Sequence, residues 1–181
     1  VLNAPNWIGI YVQVNGEPLN LFTAAIHSFN RVLDMQGGVY TREVVLTTPN
    51  GIKLKIKAIR FLAMFQQELG CIKYSIQLYD QDAELKVSPY VDGHIKNIDS
   101  NWDDPFWELK DQKCDRNFAY LHSRTLKSNF DVVSYQAVSF FVDGKQRKDF
   151  SCKQKDGYTS FVFQTKLLPN QELVIEKMGG Y

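Results

Sequence analysis

Cysteine is scarce in this chain, and no two of the three present are close in sequence. Cys71, Cys114 and Cys152 form no CxxC pair, which excludes zinc ribbons and thioredoxin-type redox chemistry and allows at most one disulfide. No Asn-x-Ser/Thr sequon occurs, so nothing marks a glycosylated, secreted protein. These two features point to a reducing, cytoplasmic compartment. No apolar run approaches the roughly 18 residues that span a bilayer, and no signal peptide is legible. The chain nonetheless begins at Val1 rather than Met. The expectation is a protein with no membrane partner.

A surplus of either charge is also missing. Lys and Arg number 21 against 20 Asp and Glu, a net charge of +1. A nucleic-acid binder needs excess cations to neutralise phosphates, so that class is excluded. The balance is uneven along the chain. Asp80 to Asp115 holds ten acids and four lysines, a local −6 against +7 for the remainder.

What is present is alternation. In "GIKLKIKAIRF", Ile52, Leu54, Ile56 and Ala58 alternate with Lys53, Lys55 and Lys57, the pattern of a strand with one buried and one wet face. The lysines read as that wet face, and in an edge strand such a row would guard against aggregation. Asn15-Gly16 and Asp143-Gly144 each follow a β-rich run and signal hairpins. "LGCIKYSIQLY", "AELKVSPYV", "GYTSFVFQTKLL" and "ELVIEK" read as further strands, and "MQGG", "TTPNG", "YDQD" and "LPNQ" as turns. "LFTAAIHSFNRVLDM" fits a short helix or a strand equally well. About ten to twelve strands and no convincing amphipathic helix predict an all-β, antiparallel sandwich or barrel. With 181 residues and no linker or repeat, a single domain over 1–181 is expected, large enough to bury a core without staples.

The least ordinary stretch is "DGHIKNIDSNWDDPFWE", Asp92 to Glu108. Asp99-x-Asn101-x-Asp103 imitates half of a calcium loop, but Asp104-Pro105 follow where the glycine turn belongs and Lys110 occupies the twelfth position. No metal site is expected. Closely spaced Asp, Asn and Ser commonly cap their own backbone in turns, which would make Trp102, Phe106 and Trp107 anchors of a long loop. A sugar site needs an apolar floor with a few placed polar groups, and Asn101, Trp102, Asp103 and Trp107 have that chemistry too. These four are the candidates for carbohydrate or interface contact.

Glycosidase acids cannot be picked among Asp99, Asp103, Asp104 and Glu108, because nothing marks one as buried. His27, His94 and His122 lack metal spacing and HExxH. His94 or His122 with a nearby acid would suit a mutarotase-like epimerase. Ser123 and Cys114 lack a nucleophile-elbow signature. No Gly-rich phosphate loop exists; Gly37-Gly38 reads as a turn.

Taken in order, "LNAPNWIGIYVQVNGEPLNL", "RVLDMQGGVYTREVV", "IRFLAMFQQELGCIKYSI" and "DGHIKNIDSNWDDPFWE" resemble the N-terminal domain of glycoside hydrolase family 65, which includes maltose, trehalose and kojibiose phosphorylases. "VIEKMGGY" resembles the handover to that domain's linker. The resemblance covers nearly the whole chain. It implies a galactose mutarotase-like β-supersandwich, preceded by a short stretch absent here and followed by a catalytic (α/α)6 barrel. It also implies that the sandwich packs on the barrel and assists homodimerisation. The catalytic acid lies in the barrel, so no catalytic residue carries over. The implied reaction is inverting phosphorolysis of an α-glucosidic disaccharide, with inorganic phosphate as co-substrate, no cofactor and β-glucose 1-phosphate as product. The rival readings are a free-standing carbohydrate-binding module and a mutarotase-like epimerase.

Overall fold

The computed structural model describes residues 3–96 and 106–181. Fourteen strands, and no helix, occur among them. In chain order they are β1 (Ile10–Val14), β2 (Glu17–Pro18), β3 (Ala25–Asp34), β4 (Val39–Thr47), β5 (Lys53–Leu62), β6 (Gly70–Leu78) and β7 (Ala83–Asp92). After these come β8 (Trp107–Asp115), β9 (Phe118–Thr125), β10 (Asp131–Val142), β11 (Lys145–Arg147), β12 (Ser151–Lys155), β13 (Tyr158–Leu167) and β14 (Glu172–Gly180). Every pairing is antiparallel. The all-β expectation holds. Only β2 and β11 are too short for alternation to reveal, since a period of two needs several residues to register.

The strands form two sheets. One runs β12-β13-β7-β1-β2; the other runs β3-β4-β5-β6-β14-β10-β9-β8, with β11 attached to β10. The ambiguous segment at residue 25 is strand β3, a fully exposed sheet edge with a register shift between Ile26 and Ser28. Strand β5 lies between β4 and β6, so its lysines guard no edge. They line the outer face, where Lys55 meets Glu43 at 3.0 Å. The "VIEKMGGY" segment runs through most of β14 and one residue past it, the strand being hydrogen-bonded on both sides between β6 and β10.

Alternation decides what the sheets enclose. Ile52, Leu54, Ile56 and Ala58 are all buried, as are Leu85 and Val87 on the facing sheet. Phe140 of β10 lies 5.0 Å, centroid to centroid, from Phe163 of β13, and Phe150 meets both Phe140 and Phe161. Phe140, Phe161 and Phe163 are fully buried, and each contributes about 1.5–3 kcal/mol. Both hairpin signals are realised: Asn15 and Gly16 have φ of 50° and 84°, Asp143 and Gly144 46° and 73°. Those left-handed pairs match the twist of the flanking strands.

Two further features tie the structure together. Gly70 and Gly179 pair across β6 and β14, and their missing side chains leave room for the Trp7 indole. A Cβ on Gly179 would meet Trp7 Cε3 at 2.6 Å. At the opposite edge, Cys114 of β8 and Cys152 of β12 form a disulfide with Cα atoms 6.1 Å apart. It is the single bond the count allowed. Cysteine usage therefore no longer argues for a reducing compartment. Cys71 remains a free thiol.

Candidate functional site

The Asp92–Glu108 segment leaves the end of β7 and returns as β8. Asn101, Trp102 and Asp103 lie outside the described residues, as do Asp99 and Asp104; Trp107 is the first residue of β8. Both stems of the segment are fastened to the same N-terminal strip. On the outgoing side, Asp92 exchanges main-chain hydrogen bonds with Asn6 at 2.7 and 2.9 Å, and the Gly93 amide donates to Gly157 at 2.8 Å. On the returning side, the Leu126 amide donates to the Phe106 carbonyl at 3.1 Å. The Trp107 indole N–H donates to the Asn3 carbonyl at 2.8 Å. That bond commits the polar end of Trp107 to holding the stem. The Tyr181 hydroxyl closes the strip by donating to Pro5 at 3.1 Å.

His94 sits within the outgoing stem. Its backbone amide donates to Asp92 Oδ1 at 2.9 Å, and its Nδ1 lies 3.1 Å from the same oxygen. The carboxylate thus caps the turn and orients the ring, an Asx arrangement with a local structural purpose. His27 is engaged by Thr47 Oγ1 at 2.7 Å on the exposed edge strand.

His122 belongs to a polar cluster on the outer face of β8, β9 and β10. Alternation on β9 buries Ala119, Leu121, Ser123 and Thr125 and turns Tyr120, His122 and Arg124 outward. Register then places Asp131 opposite Arg124, and Asp111 opposite His122. Arg124 grips Asp131 with two bonds of 2.9 Å, and His122 Nε2 lies 2.8 Å from Asp131 Oδ1. The Tyr120 hydroxyl donates to Asp111 at 2.5 Å. The Phe118 ring contacts both Tyr120 and Tyr135 on this face. Sequence reading missed Asp131 because nine residues and a turn separate it from His122; only the hairpin register brings them together.

The electrostatics of this cluster are those of stable ions. The guanidinium of Arg124, then His122, draws the Asp131 carboxyl down to about 2. The Tyr120 hydroxyl lowers Asp111 and is itself raised in return. Asp82 and Asp149 are lowered by Lys166 and Arg147. Glycoside cleavage needs a carboxylic acid held protonated near neutral pH. Among the described residues every carboxyl whose affinity is shifted moves the other way. Nor does any group of three His, Cys, Asp or Glu among them converge as metal ligands.

One further feature escaped the sequence reading. Arg31, Arg42 and Arg60 occupy adjoining strands β3, β4 and β5 on the inner face, beside a pocket of about 450 Å³ lined by Trp7, Ile8, Leu33, Tyr40, Leu62 and Ile72. Their sequence spacing carries no signal, since only strand order aligns them.

The whole chain, residues 1–181, matches the family described as "Glycosyl hydrolase family 65, N-terminal domain". It is 27% identical to the maltose phosphorylase of Bacillus subtilis (strain 168) over 169 residues, covering 92% of this chain and 22% of that protein. It is 24% identical to the kojibiose phosphorylase of Thermoanaerobacter brockii, covering 97% of this chain and 22% of that one. In structure it superposes on a putative kojibiose phosphorylase from human microbiome with a TM-score of 0.85 at 24% identity, covering 98% of this chain and 22% of the other. That likeness carries the fold. The chain spans about a fifth of the length of the relatives it matches. These matches favour neither a free-standing carbohydrate module nor a mutarotase-like epimerase.

Proposed function

The chain belongs to the N-terminal domain family of glycosyl hydrolase family 65, and on that premise we propose that it is the non-catalytic β-sandwich of a larger α-glucoside phosphorylase. One observation carries this reading: a domain family matched from end to end, in relatives named as phosphorylases that are several times longer. In the parent enzyme a downstream (α/α)6 barrel supplies the catalytic acid, the sugar contacts and the site for inorganic phosphate. A second copy completes a homodimer. The cytoplasm, where inorganic phosphate is plentiful, is the compartment this reading assigns.

The division of labour has a chemical rationale. Hydrolysis with inversion needs one carboxylic acid to protonate the leaving oxygen and one carboxylate to activate water. Inorganic phosphate is already anionic and needs no base. A single acid therefore suffices, and among the described residues the carboxyls whose affinity is shifted are all held ionised by partners. The sandwich is left to position the Asp92–Glu108 segment, with Asn101, Trp102, Asp103 and Trp107 directed at the barrel's active-site mouth or at the subunit interface. The fastened stems support that role, because both ends are held to the Asn3–Asn6 strip.

The complete reading frame tests the proposal. Incubated with inorganic phosphate and maltose, kojibiose or trehalose, the full protein is expected to release β-glucose 1-phosphate from at least one. A reading frame that encodes no further domain, or a full protein inert on all three, would overturn it. Trp102→Ala and Trp107→Ala in that enzyme address the segment: unchanged kinetics, dimerisation and stability in both would remove its assigned role.

A further inference from the structure

The inner face of the larger sheet is unevenly covered. Val44, Leu46, Leu54 and Ile56 lie beneath the smaller sheet and are buried. The far ends of the same strands, with β3, emerge at a corner where Leu33, Leu62 and Met64 are 64%, 68% and 91% exposed. Register places Arg31 directly opposite Arg42, and Arg60 opposite Tyr40 one pair further on. Two like charges facing each other across a ladder are destabilising.

Nothing described in the chain offsets them. Arg124 and Arg147 each hold an Asp. Among the described residues Arg31, Arg42 and Arg60 have no carboxylate within ion-pairing distance. Arg31 lies over the Phe29 ring instead, 5.4 Å from its centroid. Arg60 is half-buried, and its Nε is shielded from solvent with no acceptor. Burial first, and Arg42 second, weaken its hold on its proton, while only Tyr40 and Tyr74 act in the other direction. A shielded donor without a partner costs about 1–3 kcal/mol. Such a surface is completed from outside.

We propose that this corner docks the remainder of the parent enzyme, through a segment whose apolar side chains cover Leu33, Leu62 and Met64 and whose Asp or Glu carboxylates meet Arg42 and Arg60. The proposal rests on the preceding reading and adds the surface and the chemistry of its partner. A small anion would satisfy the guanidinium groups but leave the apolar corner wet. A second copy docking symmetrically would bring this same patch against itself, because a two-fold contact uses one patch on both subunits, and the patch's arginines have no carboxylate beside them among the described residues. Only an acidic, partly apolar polypeptide face fits both features.

Coupling chemistry in the complete enzyme tests this. Arg42→Lys keeps the charge and adds a primary amine that a carbodiimide joins to a touching carboxylate without a spacer. Mass spectrometry is expected to find residue 42 linked to an Asp or Glu outside residues 1–181 of the same polypeptide. In a second arm, Arg42→Glu is expected to raise amide hydrogen exchange in β3–β5 at least tenfold, with the outer-face Lys57→Glu as an unaffected control. A link to an acid within residues 1–181, a linked dimer, or no link would each overturn the proposal. So would protection of Arg42 and Arg60 from phenylglyoxal by inorganic phosphate, which would mark a small-anion site. An enzyme that releases glucose 1-phosphate yet forms no link refutes the docking surface alone; a reading frame without further polypeptide refutes the functional reading as well.

Discussion

The ammonium of Lys177 on β14 donates to the main-chain carbonyl of Tyr90 on β7 at 2.8 Å, and to that of Gly9 at 2.9 Å. It is 1% exposed and meets no carboxylate among the described residues. A nitrogen placed between two sheets in this way holds them in register through the two carbonyl dipoles, with the Tyr90 ring centroid 5.9 Å away. Burial pushes its affinity for the proton well below that of an ordinary lysine.

Replacing Lys177 by Met is expected to cost about 1–3 kcal/mol, the usual worth of losing its bonds to the Tyr90 and Gly9 carbonyls, although the Gly9 carbonyl keeps its bond from the Tyr90 amide. The pH dependence has a definite sign. With the folded value depressed, the unfolded chain binds more protons in the interval up to the ordinary lysine value near 10.4, so stability rises with pH there. Urea midpoints at neutral and alkaline pH should show that rise in the parent protein and lose it in Lys177→Met.

The Asp131 cluster responds at the acid end. Its carboxyl is drawn to about 2, so its contribution is present above the unfolded value near 3.9 and disappears as pH falls through about 2. Carboxyl NMR titration should place Asp131 there, and Arg124→Gln should return it most of the way to the usual range. An unchanged titration would mean that the paired guanidinium is not the cause.

The disulfide joins edges of different sheets across 38 residues of sequence. Chain entropy assigns such a cross-link on the order of 4 kcal/mol. Cys152→Ser, or reduction of the native protein, should lower the thermal midpoint by several degrees. Identical midpoints with and without reductant would show that the edges hold without it.

Gly179→Ala should destabilise by about 1–3 kcal/mol, the usual cost of overpacking. The added methyl meets both Trp7 and the Tyr135 carbonyl at 2.6 Å. A shift in Trp7 fluorescence should accompany the loss, since the indole must move.

Trp107→Phe preserves much of the packing while deleting the donor to Asn3. The expected cost is about 1 kcal/mol, with faster proteolysis between β7 and β8. Unaltered proteolysis would place the anchor elsewhere.

Several of these relationships were legible in the chain and others were not. Ile52, Leu54, Ile56 and Ala58 announce their burial because side-chain direction in a strand is a local, two-residue property. The Asn15-Gly16 and Asp143-Gly144 turns are equally local, since left-handed φ values select those residue types. From these alone follow an all-β fold and most of its strands. Strand partnership is different. Backbone hydrogen bonds are chemically alike for every residue, so the chain does not declare which strand lies beside which. Only the assembled sheets put β5 in an interior position, pair Cys114 with Cys152, set His122 against Asp131 and align Arg31, Arg42 and Arg60 on one uncovered corner. Which residues point inward was written locally; which of them meet was settled by long-range packing of two sheets.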